Sequence, residues 1–528
     1  MSAVSAADTV SASRAEPNPW LIAIVVTLAA FMEVLDTTIV NVALPHIAGT
    51  MSASTDESTW TLTSYLVANG IVLTISGFLT RLLGRKRYFL ICIAMFTVCS
   101  FLCGIATSLP QIIIFRLMQG FFGGGLQPNQ QSIILDTFPP AKRSQAFAVT
   151  ALATVVAPVL GPTLGGLITD NYSWRWIFLI NIPVGLLTFL GVMALVREPA
   201  AAPGARRKVS TDYVGLGLIV LGLGAFQIML DKGENADWLN SPFICWMAAL
   251  AAIGIGGAIC WLLVAKEPIV NLRALADRNF AVGCTMIVAM AVILYSSAVL
   301  LPQLSEQQLG YTATWAGLLL SPGAIALIGL IIVVGRILPL VQARFVIAFG
   351  FVFLGAAFLY SRNLVPDIDF GTLVKMRVFQ TMGLGFLFVP ISSIAYLTLP
   401  RQLNGDAAAL FTMFRNVAGS IGISLSSALL TTRAQVHMAY AGSHLTPYSQ
   451  PYLDTLAATQ RAIEATGVPA ATAQQSALGQ IYQQLIDQSQ LLAYMDVFSI
   501  CALLAFCAAP LALLLSPVKL SGGGAAAH

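Results

Sequence analysis

The sequence predicts an all-α polytopic membrane protein, and three observations carry that reading. The chain has 528 residues, of which 57% are hydrophobic and only 9% charged, where a soluble domain carries about 25% charged residues; its mean hydropathy is +0.82. Fourteen apolar stretches are each long enough to cross the hydrocarbon core, which takes about 20 residues as a helix. Backbone polar groups cannot go unpaired in lipid, so each crossing must be helical. Third, the Lys and Arg residues are distributed unevenly between alternate connections, as a bilayer topology requires.

In chain order, residues 1–19 are Ser/Ala-rich with one arginine and no apolar core, which reads as a cytoplasmic tail and not a cleavable signal. The expected spans are 20–45, 58–80, 88–107, 110–135, 144–169, 174–196, 212–231, 242–264, 280–303, 313–334, 344–362, 370–398, 407–432 and 492–516. An even count puts both termini on one side. With the N-terminus inside, 18 of the 27 Lys/Arg fall in cytoplasmic segments, notably Arg81/Arg85/Lys86/Arg87, Lys142/Arg143 and Arg206/Arg207/Lys208. Five lie outside (Arg175, Lys232, Arg362, Arg433, Arg461) and four in spans or at their ends (Arg116, Lys375, Arg377, Arg415), which predicts an N-in, C-in topology. Residues 433–491 form a long polar exterior segment, with helix-compatible stretches Tyr452–Thr466 and Ala470–Gln490 separated by Gly467 and Pro469. Residues 517–528 close the chain as a flexible cytoplasmic tail.

The net charge of +4 says little about partners, because in membrane proteins placement outweighs the sum. The eight cysteines all lie in apolar runs, so no disulfide framework is expected. Cys99 and Cys103 have the i,i+4 spacing of a metal pair, but they read as small buried hydrophobes, and no metal site is expected. The four histidines (His46, His437, His444, His528) sit away from span centres, which argues against intramembrane haem or a histidine-ligated metal. No Gly-rich loop ending in Gly-Lys-Ser/Thr occurs, so ATP does not drive the chain directly. A membrane enzyme is therefore not expected, nor is a nucleic-acid partner.

Charges inside the apolar spans are the strongest functional signal. Glu33 and Asp36 stand in Phe31–Pro45, FMEVLDTTIVNVALP. A charge at the centre of a membrane helix costs roughly 2.5–3.5 kcal/mol on insertion scales, so such residues are usually functional. Residues three apart share a helix face, so both acids point one way, and a proton or cation is the expected occupant. At about 1.5 Å per residue, Asp36 lies roughly 13 Å from the outer end of its span and Arg116 roughly 9 Å from the outer end of the fourth. A guanidinium on its long stem bridges that difference, so an Asp36–Arg116 pair is expected. Burial favours the neutral form of an unpaired carboxyl and a nearby arginine the charged form, which makes Glu33 the more natural proton carrier.

Four motifs follow in order. Gly77-Phe-Leu-Thr-Arg81-Leu-Leu-Gly84-Arg85-Lys86-Arg87 places a cationic cluster in a Gly-bounded loop after the second span. Arg116-Leu-Met-Gln-Gly120, followed by Gly123-Gly124-Gly125, marks the fourth. Ala157-Pro158-Val-Leu-Gly161-Pro162-Thr-Leu-Gly165-Gly166 marks the fifth. Small residues at such spacing let helices approach closely, and proline bends a span. With Asp36–Pro45, DTTIVNVALP, these stretches resemble the major facilitator superfamily, and within it the fourteen-span drug:proton antiporters of the EmrB type, over residues 20–516. There are departures. Arg81 stands where the superfamily's loop motif normally has an acid, so the cytoplasmic gate must be latched differently. In the second half, Gly335-Arg336 is followed by Ile-Leu-Pro-Leu and not by another basic run.

The resemblance implies a major facilitator fold: an N-terminal six-helix bundle over 20–197, two inserted helices with linkers over 198–279, and a C-terminal six-helix bundle over 280–516. Substrate would bind at mid-membrane between the bundles, which would rock for alternating access. It implies a proton-coupled multidrug efflux pump of the bacterial inner membrane, driven by the proton gradient without a cofactor. Glu33, Asp36 and Arg116 would couple protons; Gly77, Arg81, Gly84, Arg85 and Lys86 would form the gating motif; Pro158, Gly161, Pro162, Gly165 and Gly166 the antiporter motif. Polar and aromatic residues scattered in the apolar spans suit amphipathic substrates, with Asn69, Gln131, Gln227, Tyr295, Gln303, Gln380, Phe411 and Arg415 as candidate lining. The partners implied are a periplasmic adaptor of the EmrA type and, through it, an outer-membrane channel. Residues 433–491 are the expected docking surface, with a lid over the transport path as the alternative. Export of one metabolite, such as a siderophore, fatty acid or antibiotic, is the alternative function.

Overall fold

The computed structural model describes residues 18–151, 156–197, 212–446 and 448–517. Most of both tails and the basic stretch Arg206/Arg207/Lys208 lie outside them. Among the described residues the protein is helical, without strands. The first ten helices are α1 (Pro19–Thr50), α2 (Thr55–Ser58), α3 (Trp60–Leu83), α4 (Arg85–Ile105), α5 (Leu109–Gly123), α6 (Leu126–Thr137), α7 (Pro140–Ala151), α8 (Ala157–Asn171), α9 (Trp176–Leu179) and α10 (Asn181–Leu195). Then come α11 (Tyr213–Lys232) and α12 (Pro242–Val264). The remainder is α13 (Arg278–Gln307), α14 (Ala313–Ile337), α15 (Ala343–Ser361), α16 (Phe370–Gly385), α17 (Phe388–Ala395), α18 (Asn404–Gly442), α19 (Gln450–Glu464) and α20 (Ala470–Leu511).

Twelve helices among the described residues are long and apolar enough to cross a membrane, so this is a multi-pass membrane protein. The expected spans 110–135 and 144–169 are not among the twelve: the first is divided between α5 and α6 at Gly124 and Gly125, and the second includes residues 152–155, which lie outside the described residues. Span 370–398 is likewise broken between α16 and α17. Two expected ends also move. Span 407–432 runs on to Gly442, and the stretch expected as a separate exterior helix, Ala470–Gln490, is continuous with the last span as α20. The turn between α19 and α20 falls at Gly467, with a left-handed φ of 91°, and Pro469. The segment 433–491 is thus built largely from extensions of membrane helices, tied where Arg433 Nε and His437 Nε2 meet Asp496 at 2.7 and 2.8 Å.

Helix starts follow ordinary capping chemistry. The side chains of Asn18, Asp212, Asp277 and Asp369 each accept a hydrogen bond from a first-turn amide of α1, α11, α13 and α16. The helices before α11 pack mainly on one another, as do those after α12; the seam between the groups is formed by α3 with α18, α6 with α18, α7 with α17, and α8 with α14. Helix α12 is peripheral. Its buried residues Ile244, Ala251, Gly254, Ala258 and Leu262 form one stripe, and Gly254 lies so close to Gly222 of α11 that a Cβ would come within 2.4 Å of its backbone. Helix α11 instead wedges into the seam. Asp231 bonds Thr63 and Lys232 bonds Thr59 of α3 and its cap, while on α18 Ser420 accepts from Gln227 at 3.2 Å and Ser424 donates to the Leu230 carbonyl at 2.7 Å.

The fifth-span motif sets how α8 meets α1. A Cβ on Gly161 would lie 2.0 Å from Thr38 Oγ1 and 2.7 Å from its Cβ, whereas one on Gly217 of α11 would meet nothing within 4 Å. Gly161→Val should therefore cost about 1–3 kcal/mol through overpacking, read as a lowered unfolding midpoint in detergent. Gly217→Ala should be neutral or slightly stabilising, since alanine favours a helix over glycine by about 1 kcal/mol. Equal midpoints for the two variants would refute this account of the contact.

Candidate functional site

Two linked polar clusters grow from α1, which brings Glu33 and Asp36 to one face one turn apart, both buried. Asp36 faces the interior of the first helix group. Its carboxylate accepts from Arg116 Nη1 at 2.5 Å, Gln119 Nε2 at 3.1 Å and Asn181 Nδ2 at 2.9 Å. Arg116, fully buried, also donates through Nε to the Thr61 carbonyl at 3.2 Å and lies over the Tyr65 ring, 4.1 Å from its centroid. The close approach of α5 to α3 makes this possible. A Cβ on Gly120 would lie 2.3 Å from the Tyr65 carbonyl oxygen, so only glycine fits there. The pair joins α1 to α5, and Asn181 extends it to α10 and to Ser100 of α4 at 3.0 Å.

Glu33 faces the seam. It accepts from Asn69 Nδ2 at 2.9 Å, from the Tyr65 hydroxyl at 3.4 Å and from the Gln127 amide nitrogen. The Gln127 amide oxygen in turn accepts from the Arg415 guanidinium on α18. Gln127 is thus a single side chain joining a buried acid of the first group to a buried cation of the second. Sequence reasoning assigned Glu33 no cation and passed over Gln127, which looks like one of several amides in Gln127–Gln131.

The basic ends of α3 and α4 carry the gating motif. Arg81 pairs with Asp406 of α18 and donates to the Ile269 carbonyl at 3.4 Å. Gly77 admits that contact, since a Cβ there would be 2.5 Å from Asp406 Oδ1. Gly84, at a left-handed φ of 83°, breaks α3 from α4. Arg85 pairs with Asp136, which also accepts from Asn404 Nδ2 at 3.0 Å, and Lys86 Nζ donates to the Met193 carbonyl at 2.7 Å. The acid missing at position 81 is therefore supplied from α18. Asp406 was missed because the expected span began one residue after it.

The remaining candidates separate. Gln131 accepts from the Tyr396 hydroxyl at 2.9 Å across the seam, and Tyr396 sits among Phe147, Phe280 and Phe411 with ring centroids 5.5–5.9 Å away. Tyr295 packs against Gly419, one turn beyond Arg415. Gln227 meets Ser420 of α18 at the seam. Gln303 bonds its own helix neighbour Gln307 at 3.3 Å, and Gln380 is buried against Ser361 between α16 and α15. Pro158 is buried, Pro162 partly so, and Gly165 and Gly166 accept from the Thr169 hydroxyl. Cys99 and Cys103 are buried, the latter 3.6 Å from Gln119 Oε1.

The sequence profile described as Major Facilitator Superfamily matches residues 26–423. The chain belongs to that superfamily. It is accordingly a transporter and not an enzyme. It is 36% identical over 479 residues to the "Multidrug export protein EmrB" of Escherichia coli K12, covering 90% of this chain and 91% of that one. It is 36% identical over 500 residues to the "Fatty acid resistance protein FarB" of Neisseria gonorrhoeae, covering 94% and 96%. The "Probable multidrug resistance protein EmrY" of E. coli K12 is 37% identical, covering 79% and 81%. Among solved structures, the human organic anion transporter MFSD10 shares the fold with a TM-score of 0.56 at 12% identity, covering 93% of this chain and 100% of that one.

Removing one partner of the Asp36–Arg116 pair strands a buried charge, which costs about 3–5 kcal/mol. Asp36→Asn and Arg116→Gln should each lower folding yield and unfolding midpoint, and the double variant should lose less than their sum. Strict additivity in that cycle would mean the two side chains do not stabilise one another.

Proposed function

We propose that this superfamily member is a proton-coupled multidrug efflux pump of the bacterial inner membrane. It crosses the membrane fourteen times, with both termini inside. The twelve helices long and apolar enough to cross support that count when 110–135 and 144–169 are each added as one crossing, and the Lys/Arg distribution supports the orientation. The names of the EmrB and EmrY relatives support the substrate class.

Coupling rests on one observation: Gln127 donates to Glu33 and accepts from Arg415. An ionised Glu33 is an acceptor, which turns the Gln127 nitrogen toward it and leaves the amide oxygen for Arg415. A proton on the facing oxygen makes Glu33 a donor. Gln127 then satisfies it by turning its oxygen toward Glu33, and its NH₂ meets the guanidinium donor to donor. The contact between α6 and α18 fails, and with it one tie that keeps the basic side of the seam shut. Proton binding from outside thereby favours opening inward, and proton release inward accompanies loading of an amphipathic substrate. Asp36, already accepting three hydrogen bonds, holds Arg116 and keeps α1 in place while Glu33 titrates. The energy source is the proton gradient, and no cofactor takes part.

In proteoliposomes, Glu33→Gln should abolish pH-gradient-driven efflux while leaving expression intact, and Asp36→Asn should abolish it with a lowered folding yield. Gln127→Leu should retain substrate binding but lose coupling. Wild-type transport by Glu33→Gln would overturn the assignment. A narrower reading, export of a specific metabolite, draws support from the FarB relative, whose name specifies fatty acids. Substrate-stimulated proton flux over a compound panel separates the readings: a single responding class favours the narrower one.

We further propose a periplasmic adaptor of the EmrA type, leading to an outer-membrane channel, docked on residues 433–491. Exposed aromatic and aliphatic residues there, Tyr440, Tyr448, Leu453, Leu478 and Tyr482, support a protein contact. Deleting Thr446–Gln488 should spare exchange in proteoliposomes yet remove drug resistance and adaptor capture in cells. Loss of exchange would favour the lid, and retained capture would remove the docking assignment.

A further inference from the structure

The second helix group repeats the buried-arginine arrangement of the first with one component absent. Arg116 lies seven residues beyond the first residue of α5, and Arg377 seven beyond the first residue of α16. Each is followed three positions later by a glutamine, Gln119 and Gln380, and each helix is then interrupted in a glycine-containing stretch before a short second segment, α6 or α17. In the first group the arginine meets the opening helix α1 at a carboxylate, Asp36. In the second it meets the opening helix α13 at Ser297, whose hydroxyl accepts from Arg377 Nη1 at 3.0 Å.

The consequence is electrostatic. Arg377 and Ser297 are both fully buried, and among the described residues no carboxylate pairs with Arg377. Its Nε and Nη2 have no hydrogen-bond partner, whereas Nε of Arg116 finds the Thr61 carbonyl. A guanidinium cannot shed its proton to escape burial, and an uncompensated buried charge is strongly destabilising. The surroundings are small. A Cβ on Gly323 of α14 would lie 3.1 Å from Arg377 Cγ and 2.7 Å from Thr381 Oγ1. The Ser297 and Thr381 hydroxyls are spent as donors on the Leu294 and Arg377 carbonyls, so the free donors there are those of the guanidinium.

We propose that Arg377, beside Ser297, forms a binding site for a small monovalent anion of chloride size, which occupies in the second helix group the electrostatic place that Asp36 fills in the first. Full enclosure by α13, α14 and α16 suits a monatomic ion and not the carboxylate of a bulky amphiphile. The anion neutralises Arg377 and fastens α16 to α13, as Asp36 fastens α5 to α1.

The test is thermal unfolding of the purified full chain in detergent, with sodium gluconate exchanged for sodium chloride or bromide at constant ionic strength. The wild-type midpoint should rise saturably with chloride and with bromide. Ser297→Asp supplies the carboxylate in place, so its midpoint should no longer respond and in gluconate should equal or exceed that of wild type. Arg377→Gln should also lose the response; if it fails to fold, Ser297→Asp alone decides. A wild-type midpoint identical in chloride and gluconate would overturn the proposal. So would a Ser297→Asp variant that keeps the wild-type chloride response, since the anion would then act elsewhere.

Discussion

A charge buried in a low-dielectric interior must be compensated where it stands, and the Asp36–Arg116 contact is the clearest application of that constraint here. With both side chains out of solvent, neither has water to fall back on. The carboxylate draws donors from α5 and α10, and the guanidinium reaches back to α3 through a carbonyl and an aromatic face. Three membrane helices are thereby fixed around α1. Much of the local sequence can be understood as making this contact possible: Gly120 removes the side chain that would hold α5 away from Tyr65, and Asn181 opens α10 with a donor aimed at the acid.

The ties that cross the seam are of another kind. Arg81 is half-exposed where it meets a buried Asp406, and Arg85 meets a partly exposed Asp136; ion pairs partly open to water contribute less than enclosed ones. The buried crossing relies on an amide, Gln127, whose two ends interchange by rotation. Strong compensation inside the first helix group and weaker, reversible compensation between the groups would suit rigid-body rocking. The aromatic cluster around Tyr396 adds area at the seam and anchors only one hydroxyl, to Gln131.

The inserted pair α11 and α12 divides its labour. Helix α12 meets the rest of the protein along one narrow stripe and otherwise presents Trp246, Ile253, Leu263 and Val264 outward, as a lipid-facing helix does. Helix α11 carries polar residues to both sides of the seam at once, on α3 through Asp231 and Lys232 and on α18 through Gln227. Movement between the groups must therefore rearrange α11 as well.

Hydropathy by itself determined that this is a helical membrane protein, because the cost of unpaired backbone in lipid leaves no other structure for so many apolar stretches. It also exposed Glu33, Asp36 and Arg116, since a charge stands out against an apolar run, and spacing alone put both acids on one face. The break between α5 and α6 was not legible, because hydropathy averages over a turn and does not register an interruption of one or two residues. Depth along the spans made the Asp36–Arg116 pair legible, but not the other partners. Asp406, Asp136 and Gln127 lie 325, 51 and 94 residues from Arg81, Arg85 and Glu33, and no local pattern encodes contacts at that separation. Which face of α1 meets α5 and which meets the seam, and hence why one acid is locked and its neighbour is joined across to Arg415, was decided only when the helices packed.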